Sequence, residues 1–452
     1  MAVKIGASAL TTGLLLLVSV LAPAWVSAGS WQAVPWTGCD ALTVFFHPTN
    51  AETCYAGSMP CGEMPEGVHR STDRGATWAA LGIPATAVSL AVNPLNTQRM
   101  YRTEDGGHYR TGNGGDMWRR KMDGIAYTGY MTFVVVNYAY PETVYTGVGT
   151  FFGDATVYRS FDHAQNWHAM TIPAHPNRYR PGAFAVHPKD PSILYVTMDS
   201  ELLVSDNHGE AGSWHTLLGE FEYAQFSDIA IDPVNPARTY VASEGAAGRG
   251  GVYRSTDGGE NWDLLGAAEG LTSTMVKVVA VDPLNPSTVY AGTRNSATPV
   301  FISTDGGDSW IAFDAGLPVD CDINDLAVDW ETGNVVLAAT SDGIYRYDYT
   351  TDVADGPFTP RRFALEQNRP NPFNPNTVIR FSIGAESHVT LGVYDIRGRL
   401  IRTLVEEVAA VGEHQSLWDG KDEGGVEVAS GVYFCRLEAG EFSDTMKIIL
   451  MK

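Results

Sequence analysis

The sequence predicts an all-β protein in two parts, and three observations support this prediction. A motif ending in tryptophan recurs between residues 31 and 350, with 40 to 49 residues between successive tryptophans. Three other short apolar segments recur in phase with it, so each repeat holds four predicted strands. The last ninety residues lack this repeat and alternate polar with apolar residues. The repeats are typical of β-propeller blades, and the alternating segments predict a small Ig-like β-sandwich.

The turn before each fourth strand carries the most regular signal, Ser-x-Asp-x-Gly-x-x-Trp. It is complete in residues 71–78, 255–262 and 303–310. In three altered copies Asn113 replaces the aspartate, Ala164 replaces the glycine, and Trp214 comes two residues late. The aspartate can accept bonds from turn amides, the glycine permits positive φ, and the tryptophan can pack beneath the turn. Since a catalytic residue need not recur, we expect structural roles for Asp73, Asp162, Asp257, Asp305, Trp78, Trp167, Trp262 and Trp310.

The number of strands predicts how the ring closes. Seven apolar first strands end in turns at residues 46–48, 92–94, 136–138, 186–188, 231–233, 281–283 and 328–330. The seventh repeat has no tryptophan strand after Tyr345, whereas Trp31–Val34 resembles the fourth strands of the other repeats. We therefore expect a seven-bladed propeller over residues 29–350, in which the N-terminal strand completes the last blade and removes its free edge.

The N-terminus predicts export. Lys4 precedes the apolar run Leu14–Leu21, and Val26 and Ala28 place small residues before a cleavage site. We expect residues 1–28 to be a signal peptide; the alternative, a membrane anchor, is disfavoured by the short apolar run. No later segment is apolar enough to span a bilayer, so we expect no transmembrane segment after removal of the signal.

After the repeats, residues 351–362 read as a linker and residues 363–452 as a separate domain. Six alternating segments predict its strands at 377–383, 389–395, 400–404, 415–418, 432–437 and 445–450. Cys435 falls within one of them and is expected to be a small buried residue.

The motifs resemble two known families. The Ser-x-Asp-x-Gly-x-x-Trp motif resembles the Asp-box, or BNR, repeat of sialidases, family 74 xyloglucanases, sortilin-type receptors and photosystem II assembly factors. A single ring of seven blades is most similar to the last group. The segments Asn371–Pro375, Val393–Arg399, Trp418–Gly420, Ser430–Tyr433 and Met446–Lys452 resemble the C-terminal sorting domain of type IX-secreted bacterial proteins, which is similar to the Ig-like domain of the flagellar hook-capping protein FlgD.

The second resemblance implies export across two bacterial membranes, with the type IX secretion machinery as a partner of residues 363–452. The protein would then be released or held at the outer-membrane cell surface. The alternative is an accessory sandwich that only spaces or binds.

The net charge and the sequence motifs exclude several classes of function. Thirty basic and 52 acidic residues give a net charge of −22, which excludes bulk binding to nucleic acid or an anionic membrane but not a local basic pocket. We find no zincin, nucleophile-elbow or phosphate-loop motif, and predict no catalytic, metal or cofactor residue. The run Asp320–Glu331 opens like a calcium loop, but Asp325 stands where that loop needs glycine.

The cysteines predict one possible bridge. Cys39, Cys61 and Cys321 fall on one face of the predicted ring, so any disulfide should join Cys39 to Cys61 or to Cys321. Cys54 aligns with buried strand positions and should be a free thiol.

The longer loops, which lie on the face opposite the motif turns, form the candidate ligand face. Its residues are aromatic, basic or acidic: Glu104, Asp105, Tyr127, Phe151, Phe152, Asp154, Arg178, Arg180, Phe221, Tyr223, Arg249 and Arg294, with Tyr130, Tyr179, Asp199, Glu222 and Glu244 nearby. Aromatic rings beside acids suit a glycan or a peptide. We expect a binding or scaffold propeller that recognises a protein or glycan ligand; the alternative is a polysaccharide-active glycoside hydrolase, which needs two carboxylates at a set separation.

Overall fold

The computed structural model describes residues 29–37, 39–59, 67–81, 86–104, 106–126, 129–150, 155–173, 180–219, 224–245, 248–349, 363–365, 373, 375–383, 387–410, 412–440 and 442–450. The described residues are almost entirely in strands and turns; their one helical element is a single 3-10 turn at Ala267–Glu269. No helix in these ranges is long and apolar enough to cross a membrane.

The described residues of the repeat region form 28 strands. The first thirteen are β1 (Gln32–Ala33), β2 (Ala41–His47), β3 (Asn50–Ser58), β4 (Val68–Ser71), β5 (Ala79–Leu81), β6 (Ser89–Val92), β7 (Met100–Glu104), β8 (Gly107–Thr111), β9 (Arg119–Arg120), β10 (Gly129–Val136), β11 (Val144–Thr150), β12 (Thr156–Ser160) and β13 (His168–Ala169). The rest are β14 (Pro181–Val186), β15 (Leu194–Met198), β16 (Glu201–Ser205), β17 (Trp214–Leu218), β18 (Ala224–Ile231), β19 (Thr239–Gly245), β20 (Gly251–Ser255), β21 (Asp263–Leu265), β22 (Val276–Val281), β23 (Val289–Thr293), β24 (Val300–Ser303), β25 (Ile311–Ala312), β26 (Ile323–Val328), β27 (Val335–Thr340) and β28 (Gly343–Asp348).

These strands form four-stranded antiparallel sheets. Six sheets each use four consecutive strands: β2–β5, β6–β9, β10–β13, β14–β17, β18–β21 and β22–β25, here named sheets 1 to 6. Sheet 7 has the order β26, β27, β28 and β1, so its fourth strand comes from the N-terminus. Gln32 lies opposite Arg346 and Ala33 opposite Tyr345 in that pairing.

The hydrophobic core lies between neighbouring sheets. The first strand of each sheet contacts the first strand of the next, and β26 of sheet 7 contacts β2 of sheet 1 in the same way. One apolar cluster joins Phe46 of sheet 1 to Leu337 and Ile344 of sheet 7. Another joins Trp31 to Tyr290 and Val300 of sheet 6. Each sheet therefore buries its faces only by packing against two neighbours.

The motif turns have a repeated local geometry, shown by the copy at 303–310. The Ser303 hydroxyl donates to Asp305 Oδ1 at 2.7 Å and accepts the Gly307 amide at 2.8 Å. Asp305 Oδ1 also accepts the Ser309 amide at 2.9 Å, so the side chains replace backbone partners that the turn lacks.

The two residues after each motif aspartate have positive φ. Gly306 and Gly307 have φ values of 74° and 97°, and the altered copy uses His163 and Ala164, both at 61°. This conformation explains the motif glycine, because a Cβ there is strained. Trp262 Nε1 donates to the Gly259 carbonyl at 3.1 Å and so holds the ring beneath its turn.

The C-terminal strands form two further sheets. They are β29 (Ala364–Leu365), β30 (Thr377–Ile383), β31 (Ser387–Tyr394), β32 (Leu400–Ala409), β33 (Gly412–Trp418), β34 (Gly431–Ala439) and β35 (Phe442–Leu450). One sheet has the order β29, β30, β33 and the other β32, β31, β34, β35. Trp418, Ile379 and Cys435 are fully buried in their common core, so Cys435 is the small buried residue that was expected. β30 has the predicted bounds, whereas β32 is longer than the predicted segment 400–404 and continues through exposed Glu406 and Glu407.

Candidate functional site

Antiparallel order places successive hairpins at opposite ends of each sheet. The motif turns lie at one end, here named the turn face, and the loops joining second to third strands lie at the other, here named the loop face. Four predicted ligand residues of the loop face are described: Glu104, Arg180, Arg249 and Arg294. The other eight lie outside the described residues: Asp105, Tyr127, Phe151, Phe152, Asp154, Arg178, Phe221 and Tyr223.

Glu104 is engaged by its own sheet. Its carboxylate accepts Arg102 Nη1 at 2.6 Å, and the same guanidinium nitrogen reaches the Thr86 carbonyl at 2.7 Å. Arg102 is buried and lies over the Tyr109 ring at 4.4 Å. Glu104 therefore neutralises a buried cation, which leaves it little freedom to contact a ligand.

Arg294 is the centre of a charged group. Its Nη1 lies 3.3 Å from Glu244 Oε2, and its Nε lies 3.4 Å from Asp322 Oδ2. The backbone amide of Asn295 donates to the other Asp322 oxygen at 2.9 Å. These contacts connect the loop-face ends of sheets 5, 6 and 7.

Lys277 adds a second cation to this group. Its Nζ donates to Asn324 Oδ1 at 2.6 Å, and Asn324 Nδ2 donates to the Ala41 carbonyl at 2.8 Å. Burial lowers the pKa of Lys277, and the positive charge of Arg294 lowers it further. Glu244 and Asp322 act in the opposite direction, and Arg180 is close enough to contribute repulsion.

The resulting loop-face cluster comprises Arg180, Glu244, Lys277, Arg294, Asp322 and Asn324. The sequence analysis placed Arg180, Glu244 and Arg294 on this face but did not include Lys277, Asp322 or Asn324. A signal existed for Lys277, because it is the one polar residue of a first strand that is otherwise apolar. Arg249 has an exposed side chain, and its carbonyl accepts hydrogen bonds from Ser243 and Tyr253.

Two carboxylates lie behind the cluster in first strands. Burial raises the pKa of Asp228 to about 7 and that of Asp325 to about 6. Asp228 accepts the Ile229 amide at 2.8 Å and the Val279 amide of the next sheet at 3.0 Å. The Val279 amide follows a β-bulge between Val276 and Val278, where the strand pairing is interrupted.

Asp325 repeats this arrangement between sheets 7 and 1. It accepts the amides of Leu326 at 2.8 Å and Val44 at 2.9 Å, and the Thr43 hydroxyl at 2.8 Å. Both carboxylates thus satisfy amides beside a bulge in the neighbouring sheet. They are held in place, and their oxygens already have partners.

Four cysteines lie within the described residues: one forms a disulfide and three are free thiols. Cys39 is disulfide-bonded, whereas Cys54, Cys321 and Cys435 are buried and free. The free thiol of Cys54 is confirmed, and a bridge from Cys39 to Cys321 was the wrong alternative. Cys61 lies outside the described residues. Among those residues, no three His, Cys, Asp or Glu side chains are grouped closely enough to hold a metal ion.

Comparisons with known proteins bear on both parts of the chain. The FlgD Ig-like domain family matches residues 378–441. The xyloglucanase Xgh74A of Acetivibrio thermocellus is 32% identical over 108 residues, which cover 21% of this chain and 12% of the enzyme. The chain therefore spans about an eighth of the length of this curated relative.

Solved structures resemble the fold of the repeat region. YCF48 bound to a D1 peptide has a TM-score of 0.51 at 15% identity, covering 73% of this chain and 98% of that one. An ancestral GH74 enzyme has a TM-score of 0.59 at 13% identity, covering 93% and 64%. PorZ, a surface component of the type-IX secretion system of Porphyromonas gingivalis, has a TM-score of 0.50 at 16% identity, covering 93% and 61%.

The protein is an all-β protein that combines a β-propeller fold with a C-terminal FlgD Ig-like domain. The propeller resemblances lie below 25% identity and therefore establish the fold, which is shared by binding proteins and enzymes.

Proposed function

We propose that the protein is an exported ligand-binding propeller, and that the loop-face cluster is the centre of its binding site. The observation that carries this proposal is the convergence of Arg180, Lys277 and Arg294 with Glu244 and Asp322 at one end of sheets 4 to 7. Charges of both signs, partly exposed on rigid strand ends, provide donors and acceptors for a peptide or a glycan.

The arrangement of Asp228 and Asp325 favours binding over catalysis. A general acid needs a carboxyl that reaches the substrate, and a raised pKa suits that role. Each carboxyl instead uses both of its oxygens to accept backbone amides that lie beside the bulges and lack a strand partner. This use supports a structural role for the pair.

A glycoside hydrolase is the second candidate, and one observation favours it. Asp228 and Asp325 both have raised pKa values, and the charge of Asp325 contributes to the shift of Asp228. The two carboxyls are therefore electrostatically coupled, as in an acid and base pair.

One experiment separates the two candidates. The secreted protein is screened against glycan, polysaccharide and peptide panels, with binding and release of reducing sugar measured in the same samples. Binding without sugar release, lost in Lys277→Met and Arg294→Ala but kept in Lys189→Ala, supports the binding site. Lys189 is the control because it is an exposed cation of the turn face. Sugar release that disappears in Asp228→Asn and Asp325→Asn would replace the proposal with the hydrolase.

The proposal includes the finer architecture of the ring. We infer a single ring of seven blades over residues 29–350 with Asp-box turns, in which β1 serves as the closing strand. The order β26, β27, β28, β1 and the contact between β26 and β2 support this inference.

We also infer that residues 363–452 are a type IX sorting domain, that residues 1–28 are a signal peptide and that the protein reaches the bacterial surface. Support comes from the FlgD Ig-like match at 378–441 and from the fold shared with a surface component of that secretion system.

A further inference from the structure

A pocket lies on the turn face, between sheets 2 and 3 and away from the loop-face cluster. Its volume is about 390 Å³. Three of its lining residues are cationic and none is acidic: Arg110, Arg119 and Lys121 are joined by the polar side chains of Thr111, Asn113 and Gln165. Such a pocket is unexpected in a chain with a net charge of −22.

The strand register brings two of the cations together. Arg110 of β8 and Arg119 of β9 are direct cross-strand partners. The corresponding pairs in sheets 1, 3 and 5 are Arg70 with Ala79, Arg159 with His168 and Arg254 with Asp263, so only sheet 2 places two arginines there among these sheets. Like charges placed directly opposite each other destabilise a sheet, so this pair needs a compensating negative charge.

Neutral residues occupy positions that hold acids elsewhere. Asn113 stands at the motif aspartate and keeps its bonds: its Oδ1 accepts the Thr111 hydroxyl at 2.7 Å and the Met117 amide at 3.0 Å. Gln165 stands one residue after the motif glycine position. In the next copy that position is Glu210, which pairs with Arg159 at 2.9 Å.

The same position in a further copy is Asp308, which pairs with Arg254 at 2.7 Å. Arg110 is the equivalent arginine of sheet 2 and faces Gln165 instead. Two carboxylates expected from the repeat are therefore replaced by amides around a pair of arginines.

The described residues supply no ion pair to Arg110, Arg119 or Lys121. Asp162 attracts Arg110, whereas Arg99 repels it. The Asp162 oxygens are occupied by the Ser160 hydroxyl and by groups of Asn166 within its own turn. Within the described part of the chain, the three cations of the pocket thus have no ion-pair partner, and Asp162 acts on Arg110 only at longer range.

We propose that this pocket binds an oxyanion, a phosphate or sulfate group that is either free or carried on a larger polyanion. Guanidinium groups form paired hydrogen bonds to such oxygens, and a lysine adds a point charge. The Gln165 side-chain amide provides a further hydrogen-bond donor, since only one of its N–H groups is used within its own turn. The proposal is independent of the loop-face cluster, since it uses the opposite face and different sheets.

Isothermal titration calorimetry tests the proposal with inorganic sulfate, inorganic phosphate, dextran sulfate and neutral dextran, at constant ionic strength. The wild-type protein should bind both ions and dextran sulfate but not dextran. Arg119→Ala reproduces the Arg70–Ala79 pair of sheet 1 and should weaken binding about tenfold or more, as expected for loss of a charge-assisted bond. Gln165→Glu restores the acid found in other copies and should abolish binding while retaining every cation.

Thermal unfolding gives an independent readout. In buffer free of sulfate and phosphate, both variants should melt above the wild-type protein, because each relieves the repulsion between Arg110 and Arg119. Sulfate should raise the melting temperature of the wild-type protein and of Arg397→Ala, an exposed arginine of the C-terminal domain, but not of the two pocket variants. Equal responses in all four proteins, or absence of binding by the wild-type protein, would overturn the proposal. Binding of the inorganic ions without dextran sulfate would support it and identify the free ion as the ligand.

Discussion

Arg346 Nε donates a hydrogen bond of 3.1 Å to the carbonyl of Arg74, and this contact joins the last sheet of the repeat region to the first. The same bond recurs between sequential neighbours: Arg110 reaches the His163 carbonyl at 2.9 Å, and Arg254 reaches the Gly306 carbonyl at 2.8 Å. In each case the acceptor is the residue after the motif aspartate, where φ is positive. Sheet 7 therefore meets sheet 1 through the same kind of contact that sheets 2 and 5 make with their successors.

The proposed closure by the N-terminal strand predicts that replacing Trp31 has a large effect on stability. This side chain is buried, donates to the Phe313 carbonyl at 2.7 Å and packs edge-on against Phe313 and Tyr347. Trp31→Ala should lower the free energy of unfolding by about 3–5 kcal/mol. Urea denaturation followed by circular dichroism measures it, with exposed Gln32→Ala as the control. Equal midpoints for wild type and Trp31→Ala would show that another segment closes the ring.

The motif aspartates should act through hydrogen bonds rather than charge. Asp305→Ala removes the acceptor of the Ser309 amide and hydroxyl and should cost about 1 kcal/mol, as for a lost cap. Asp305→Asn should be nearly neutral, because Asn113 makes equivalent bonds in sheet 2. Chemical denaturation of the two variants checks the prediction. Equal losses in both would mean that the negative charge is needed.

The turn conformation predicts opposite effects for two small substitutions. Ala164 has a φ of 61°, which strains a residue with a Cβ. Ala164→Gly relieves this strain but increases the conformational entropy of the unfolded chain, which offsets part of the gain. The net effect should be a stabilisation of about 0.5–1 kcal/mol. Gly258 has a φ of 79° and open space around its Cβ position, so Gly258→Ala should destabilise by a similar amount through strain alone. Melting curves with changes of the same sign would contradict this explanation.

Buried histidines should make stability fall in mild acid. Burial lowers the pKa of His69 to about 4 and, with the charges of Arg102 and Arg110, that of His108 to about 3. A histidine in the unfolded chain has a pKa of about 6.5. Between pH 6.5 and about pH 4, the unfolded chain therefore binds protons that the folded chain excludes. The free energy of unfolding then falls as the pH falls through this window.

His108→Val isolates this effect, because Val157, Val252 and Val300 occupy the same strand position. Relative to this variant, the wild-type protein should lose on the order of 2 kcal/mol between pH 6.5 and pH 4.5. Asp228 and Asp325 titrate with the opposite sign, since their raised pKa values favour the folded state at low pH, but they are common to both proteins. Parallel pH profiles of the two unfolding energies would refute the assignment to His108.

Removal of residues 363–452 should leave the propeller folded and stop its delivery to the cell surface. Among the described residues, the hydrophobic clusters of the repeat region include none beyond Tyr349, so we expect the truncated chain to keep its core. Melting temperature and surface labelling of the full and truncated chains measure the two effects. Surface delivery of the truncated chain at the normal level would disprove the sorting role.

Sequence alone determined the repeated units. Period, motif and apolar alternation are local properties, and they predicted the four-stranded sheets, the strand Thr377–Ile383 and the burial of Cys54 and Cys435. The pairing of the N-terminal strand β1 with β28 was also predictable, because the segment around Trp31 resembles the fourth strands of the other repeats.

Tertiary structure alone decided which side chains meet. Glu104 looked like a ligand residue until the fold placed it on buried Arg102, and Lys277 and Arg294 became one group only because sheet 6 brings their strand ends together. Arg110 and Arg119 are nine residues apart along the chain, and only the register of β8 and β9 places them opposite each other. Electrostatic and hydrogen-bond energies depend on distances between residues on different strands, and those distances are fixed by packing rather than by sequence spacing.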